Sequence, residues 1–345
     1  MAENTVKRLE NVEIKSLWGE YDLEWQLHPD VNILVGANGS GKTTLLELIE
    51  IMINERQDKL NEYEFDELKL SFDDEQFIFA ENLYIAELKR FESTYTITSS
   101  LKKKFVKNQE GEMRFIEVRF TDFITLEKIN TFDMILYEKE KVKNFIHQEV
   151  LTELDKLLDE LIDDFKDYVF ELRTAEREAT LTLDKKIKEL SLKETATPEE
   201  LQDLRMTLRD KDSQVEAINQ QKQLFFEEIT RLFAHTEKVA DFDKDNSIVF
   251  YHRDKKIRPY QLSAGEKQIL IILLKVLLQE NQPCILLMDE PEISLHVSWQ
   301  MQLINIIRKL NPNCQLLLVT HAPAIFEHWQ DKVTKMEQII HPHQP

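Results

Sequence analysis

A buried strand that runs straight into a glycine-rich loop and then into a helix constrains this chain more than any other feature. Val31-Asn32-Ile33-Leu34-Val35 is an apolar run after the turn His28-Pro29-Asp30, and Gly36-Ala37-Asn38-Gly39-Ser40-Gly41-Lys42-Thr43 follows it in the pattern G-x-x-x-x-G-K-[ST]. A helix then begins near Lys42 and carries Leu45, Leu46, Leu48, Ile49, Ile51 and Met52. In this order the three elements make a phosphate cradle. Glycines let backbone N–H groups converge on anionic oxygens at the helix N-terminus, Lys42 brings positive charge to the β and γ phosphates, and the Thr43 hydroxyl suits Mg²⁺. Gly36, Asn38, Gly39, Ser40, Gly41, Lys42, Thr43 and Thr44 form the expected nucleotide-binding set.

The rest of the first third reads as strands. Val12 to Leu17 and Leu23 to Leu27 have β character, and irregular, aromatic-rich sequence follows, with strand-like pieces at Phe77 to Ala80, Tyr95 to Ile97, Phe115 to Phe120 and Met134 to Tyr137. From Val142 to Glu237 the composition turns to helix formers, with no glycine and a single proline. Apolar residues recur at three and four spacing, from Ile146, Val150, Leu154 and Leu157 through Phe165 to Leu190. The run breaks at Ala196-Thr197-Pro198-Glu199-Glu200, where Thr197 suits an N-cap, Pro198 the first helical position and Glu200 the third residue of a capping box. A returning helix carries Leu201, Leu204, Leu208, Val215, Ile218, Phe225, Ile229 and Leu232. The pattern predicts an antiparallel helical arm of unequal limbs, projecting roughly 60 Å if straight or else folded back on the head. The expected segments are therefore 1–141, an N-terminal lobe with the glycine loop; 142–237, the arm; and 238–345, a C-terminal lobe where strand and helix alternate again from Ser247.

Four further elements lie in that last lobe. Cys284-Ile285-Leu286-Leu287-Met288-Asp289-Glu290-Pro291-Glu292 is an apolar strand ending in adjacent carboxylates, the form of a Walker B strand. Asp289 is expected to hold Mg²⁺ and Glu290 to orient and polarise an attacking water. Leu262-Ser263-Ala264-Gly265-Glu266-Lys267-Gln268 precedes it and opens a long apolar helix, with Ser263 also suited to cap that helix against Glu266. Ser294-Leu295-His296-Val297-Ser298-Trp299-Gln300 follows it, and Leu316-Leu317-Leu318-Val319-Thr320-His321-Ala322-Pro323 places His321 at the end of a further apolar strand.

Together these elements resemble the ABC ATPases of the Rad50, SMC, RecF and OLD group, over residues 5 to 135 and 247 to 328. The resemblance implies an α/β fold, an ABC-type P-loop ATPase head with an inserted antiparallel α-helical, coiled-coil-like arm. It implies ATP and Mg²⁺ as ligands, Ser263 and Gly265 as contacts to the γ-phosphate held by the opposite protomer, His321 as a γ-phosphate sensor, and a homodimer of ATP-sandwiched heads or a higher oligomer. Three positions depart from the pattern: Ala264 stands at the first signature glycine, Val297 where proline is common, and no Q-loop glutamine is placed, its segment being Ile129 to Asp133. The arm lacks C-x-x-C, which excludes a zinc hook of the Rad50 kind, and the 24 residues after His321 leave no room for a TOPRIM nuclease domain.

Composition bounds the purpose. The net charge of −20 argues against a surface that grips nucleic acid everywhere, leaving Lys102, Lys103 and Lys104, or Arg253, Lys255, Lys256 and Arg258, as local candidates for DNA. No apolar run spans a bilayer and no secretory leader is visible, so the expected place is the cytoplasm without a membrane partner. Cys284 and Cys314 read as core thiols. The acidic head with its D-E-P-E, S-L-H and V-T-H-A-P series resembles the ATPase subunits of two-component anti-phage systems such as PARIS and Septu, PARIS being the nearer. That likeness implies a sensor or scaffold that controls a separate effector, a nuclease or toxin, in answer to a phage-encoded trigger. A DNA-repair ATPase and a non-catalytic protein using ATP structurally are the alternatives.

Overall fold

A computed structural model describes residues 8–83, 94–99, 104–107, 113–116, 125–129, 152–192, 197–243 and 247–343. In chain order the elements are β1 (Leu9–Leu17), β2 (Tyr21–Gln26), β3 (Val31–Val35), α1 (Lys42–Ile53), α2 (Gln57–Leu60), β4 (Glu67–Phe72), β5 (Phe77–Leu83), β6 (Thr94–Ser99), β7 (Lys104–Lys107), β8 (Met113–Ile116) and β9 (Thr125–Ile129). Then come α3 (Glu153–Ser191), α4 (Pro198–Phe233), β10 (Lys238–Phe242), β11 (Ile248–His252), β12 (Lys255–Ile257), α5 (Ala264–Leu277), β13 (Cys284–Asp289), α6 (Val297–Leu310), β14 (Cys314–Val319), β15 (Val333–Lys335), α7 (Met336–Ile339) and β16 (Ile340–Pro342). The chain divides into two compact units, one of Met1–Thr131, Asn281–Arg308 and Pro312–Pro345, the other of Phe132–Glu280 and Lys309–Asn311.

The first unit has two sheets of different chemistry. Strands in the order β16-β2-β1-β4-β5-β6 pair antiparallel. Their residues alternate, as in β4, where Leu68, Leu70 and Phe72 are buried and Lys69 and Ser71 are not. The order β15-β3-β14-β13-β9 is parallel throughout. Here β3, β13 and β14 are apolar almost end to end, the pattern of strands covered on both faces. One core binds the two sheets around α1: Leu45, Leu46, Leu48, Ile49, Met52 and Ile53 pack with Val12, Trp25 and Leu70 of one sheet and Leu287, Leu317 and Val319 of the other. The apolar face of α1 is thereby enclosed, while Thr43, Glu47 and Glu50 lie on its less buried side. Gln315 is fully buried and paired: its amide donates to the carbonyls of Leu9 and His28 and accepts from Leu9 N–H, tying the start of β1 to β14.

Cys284 and Cys314 are fully buried free thiols, as expected of core residues. The parallel register sets them opposite each other on β13 and β14. The neighbouring Cys314 sulfur, together with burial, pushes the Cys284 thiol far above its ordinary range. Linear spacing hides a neighbour that only strand pairing creates.

The second unit is built on the two long helices. Thr152 caps α3, and Thr197 caps α4 in a complete capping box with Pro198 in the first turn, as the sequence predicts. The helices have 39 and 36 residues, so the described limbs are nearly equal; residues 142–151, the expected start of the longer limb, lie outside the described residues. Near the base the seam is aromatic, with Phe165 stacked among Tyr168, Phe225 and Phe226. Toward the tip Leu181, Ile187, Leu192, Leu201, Met206 and Leu208 are exposed, because two helices alone cannot close around their apolar stripes. Lys186 bridges the limbs there, bonding Asp203 and Thr207 at 2.7 Å each.

The same unit contains α5, whose start is fastened to both limbs. Lys267 pairs with Asp155 of α3 at 2.6 Å, and Glu266 accepts from Thr236 at 2.7 Å and Lys238 at 2.6 Å, just past α4. Burial alone would raise the Glu266 carboxyl, but the bonds from Lys238, Ser263 N–H, Thr236 and the Ser263 hydroxyl outweigh it and hold it below the usual carboxylate range. A depressed carboxyl stabilises the fold above its unfolded pKa, and that contribution is lost as the pH falls through the folded value. Glu266→Gln is therefore expected to cost about 2–3 kcal/mol at neutral pH, with the gap to the unsubstituted protein narrowing in acid. Urea denaturation at a series of pH values checks both; a gap constant with pH would contradict the charge assignment.

Candidate functional site

Parallel strands bring the expected chemistry to one edge. The C-terminal ends of β3, β14 and β13 are neighbours, and each runs into a segment singled out above: Gly36 to Gly41 after β3, Thr320 to Ala322 after β14, and Asp289 to Glu292 at the end of β13. This is the edge at which parallel α/β sheets bind ligands. A cavity of about 230 Å³ opens there, lined by Trp18, Asn38, Gly39, Gly41, Lys42, Thr43, Thr44, Glu290 and His321.

The loop geometry favours an anion. Helices α3, α4 and α5 each carry a side-chain N-cap, whereas α1 begins after Gly41 with none and has no acidic residue in its first turn. Its first N–H groups thus face the cavity without a side-chain acceptor from the cap. Gly41 has φ 95° and lies under the Trp18 ring, so a Cβ would collide with the indole. Lys42 is 5% exposed and donates to the carbonyls of Gly36 at 3.1 Å and Ala37 at 2.9 Å, which holds its ammonium within the loop. Ser40 lies beside Gly36, its hydroxyl buried without a hydrogen-bond partner.

Thr43 and Asp289 are hydrogen-bonded side chains, which joins the loop to β13. Burial raises the Asp289 carboxyl, while Thr43, Lys128 and Lys42 pull against that and Glu47 adds to it. Lys128 of β9 bonds Glu50 at 2.7 Å and was not legible as a site residue. Glu290 has φ 46°, in the left-handed region, and its carboxylate lies 3.4 Å from His321 Nε2. Glu292 turns the other way: its Oε1 accepts from the Thr320 hydroxyl at 2.7 Å, His321 N–H at 2.9 Å and Ala322 N–H at 3.2 Å.

Ser263 and Gly265 lie in the second unit, at the start of α5. Ser263 forms the capping box with Glu266, its hydroxyl 2.9 Å from the Glu266 carboxylate. The two departures on described residues are conformationally sound. Ala264 is the first residue of α5, and Val297 is the first residue of α6, where proline is favoured but not required. Gln300 donates to the Leu295 carbonyl at 3.0 Å, which gives the glutamine of the S-L-H-V-x-x-Q series its part in shaping that loop. Asn130 to Asp133, the segment of the missing Q-loop residue, lies outside the described residues. So do Lys102 and Lys103, while Arg253 and Lys256 are matched by Glu237 at 2.5 Å and Asp243 at 3.4 Å.

Residues 31–327, from β3 past His321, match the family described as "AAA domain, putative AbiEii toxin, Type IV TA system". The chain belongs to this family. Among curated proteins, this AAA-domain chain is similar to the peptide transport system ATP-binding protein SapD of Escherichia coli O157:H7, at 34% identity over 77 residues, 22% of either chain. It is also similar to the uncharacterized ABC transporter ATP-binding protein YejF of Escherichia coli K12, at 35% identity over 81 residues, 23% of this chain and 15% of that one. The match thus spans less than a quarter of the curated relatives' length. Two solved structures align along nearly the whole chain. One is the Smc head domain with an extended coiled coil bound to the C-terminal domain of ScpA, from Pyrococcus furiosus, at 15% identity, 97% and 96% coverage and TM-score 0.46. The other is the SMC head domain from Thermotoga maritima, at 13% identity, 95% and 94% coverage and TM-score 0.47. By family the chain is an AAA-domain protein, and its α/β sheets with two long helices between β9 and β10 are the fold class the sequence predicts. Among the described residues no helix is long and apolar enough to cross a membrane.

Proposed function

We propose that this protein binds ATP with Mg²⁺ and hydrolyses it to ADP and phosphate in composite sites between two copies. The observation that carries the reading is the convergence of the uncapped α1 N-terminus, Lys42, the Thr43–Asp289 pair and the Glu290–His321 pair at one sheet edge. The hydroxyl and carboxylate oxygens of Thr43 and Asp289 suit a hard divalent ion, and Mg²⁺ held there would neutralise charge on the β and γ phosphates. Lys42 and the loop amides orient the triphosphate. Glu290 accepts a hydrogen bond from the attacking water and takes its proton as the γ-phosphoryl group leaves ADP. His321, beside Glu290, meets the γ-phosphate edge.

Ser263 and Gly265 complete the site from a second copy in this reading, with ATP between the heads. The family description names a putative toxin and a Type IV TA system, which supports a role beside an effector. We therefore place the ATPase as sensor and scaffold of a two-component anti-phage system of the PARIS kind, its closure holding or releasing a nuclease or toxin supplied in trans. Within the described basic cluster Arg253 and Lys256 are paired with acidic neighbours, which counts against the DNA-repair alternative there. Ser263→Arg tests the composite site. Nucleotide affinity at low protein concentration is expected to stay within about threefold, since no P-loop contact is removed, while turnover is lost. Unchanged turnover per head at every concentration rules composite sites out.

A further inference from the structure

The ATPase reading gives Glu292 no part, although its carboxylate accepts two backbone N–H groups beside the site. It sits two residues beyond Glu290, across Pro291, and Glu290 N–H donates to the Val319 carbonyl at 2.9 Å, so the strand ends are already joined at Glu290. The β13–β14 pairing ends there, and Glu292 ties together the segments that follow the two strands. One carboxylate oxygen takes the Thr320 hydroxyl and the N–H groups of His321 and Ala322, while the other is buried with no hydrogen-bond partner. Thr320 is fully buried, and its hydroxyl also accepts from Ala322 N–H at 2.9 Å, which closes a tight ring around the backbone of His321. His321 itself is exposed, and its imidazole and the Glu290 carboxylate, 3.4 Å apart, both line the cavity.

We propose that Glu292 is a positioning residue for hydrolysis. Its carboxylate fixes the backbone of Thr320 to Ala322 and so holds the His321 imidazole against Glu290, making the ends of β13 and β14 one rigid catalytic edge. The role rests on the ATPase reading. The physical need is clear: Glu290 is in a left-handed conformation and His321 is on a loop, so neither side chain is aimed by regular structure. A carboxylate accepting two backbone N–H groups and a hydroxyl is a charge-assisted anchor, stronger than the neutral bonds available to a turn.

The test compares Glu292→Ala, Glu292→Gln and Glu290→Gln in the full chain. Glu292→Ala removes the acceptor, and kcat is expected to fall on the order of 10²-fold, the effect of misplacing a catalytic group by about an ångström. Nucleotide Kd should stay within about threefold, because the P-loop contacts are untouched. Glu292→Gln keeps the accepting oxygen and loses only the charge, so kcat should recover to within about fivefold of the unsubstituted protein. Hydrogen exchange gives a readout independent of turnover: the His321 and Ala322 amides should exchange faster in Glu292→Ala and stay protected in Glu292→Gln. Unchanged kcat in Glu292→Ala, beside lost kcat in Glu290→Gln, overturns the positioning role and leaves the ATPase reading standing. Loss of nucleotide affinity and kcat together, with no rescue by glutamine, also overturns it, because that is the signature of a general structural defect. Absence of turnover in the unsubstituted protein overturns the ATPase reading first, and this role with it.

Discussion

Glu290→Gln is expected to lower ATP turnover by about 10²–10⁴-fold, the range for loss of a positioned general base, while leaving ATP binding intact. The substitution is clean for a structural reason. Glu290 has φ 46°, a conformation that costs a non-glycine residue about 1–3 kcal/mol. Glutamine inherits that cost unchanged, whereas glycine would relax the turn and confuse catalysis with loop mobility. Glutamine also keeps an oxygen 3.4 Å from His321, losing the proton acceptor and little of the packing. With hydrolysis blocked, ATP should accumulate at the head-to-head interface, and the solution mass of Glu290→Gln is expected to rise on adding Mg-ATP. If mass is instead constant at a multiple of the monomer, assembly is constitutive and ATP acts within it. A constant monomer with ATP bound would refute the two-head clamp.

Why so much of this site was legible follows from where its chemistry sits. Glycine, lysine and threonine at fixed spacing leave a linear signature because one short loop does the whole task, and Asp289 and Glu290 are visible because a parallel strand buried on both faces must be apolar until it ends. The same rule exposes His321 at the end of β14. The capping boxes at Thr197 and Ser263 are local by construction and appear where the sequence puts them.

What could not be read depends on pairing between distant segments. Trp18 reaches the P-loop only because β1 and β2 fold back through a turn with Trp18 and Gly19 at positive φ. Lys128 comes beside Glu50 only because β9 pairs with β13 at the sheet edge. Glu292 was visible as a letter of the D-E-P-E series, but its three donors lie about thirty residues away, joined by the β13–β14 register rather than by a pattern. The strands β4 and β9 were passed over because each is short and carries charge, Lys69 in one and Glu127 and Lys128 in the other, and neighbouring strands rather than propensity hold them in place.

Lys42→Ala should weaken nucleotide binding by at least about 10²-fold, because a charged donor to two phosphates is lost and hydrogen bonds to charged groups contribute about 1.5–3 kcal/mol each. The fold should tolerate the change better than the burial of Lys42 suggests. Lys42 is the first residue of α1, a position with no intrahelical donor to lose, and alanine is the best helix former available. The apolar residues of α1 that join the two sheets begin at Leu45 and are not touched. What the substitution removes is the ammonium that now holds the carbonyls of Gly36 and Ala37, so some loosening of the loop accompanies the loss of charge. Thermal unfolding with and without Mg-ATP separates the two effects. A ligand at one hundred times its Kd stabilises the native state by about 2.7 kcal/mol, so the unsubstituted protein should show a clear rise in Tm. Lys42→Ala should start from a Tm only slightly lower and show no rise. Normal stabilisation by ATP in Lys42→Ala would sink the P-loop assignment, and with it every role given to Glu290, His321 and Glu292, since all of them are defined by where that loop holds the γ-phosphate.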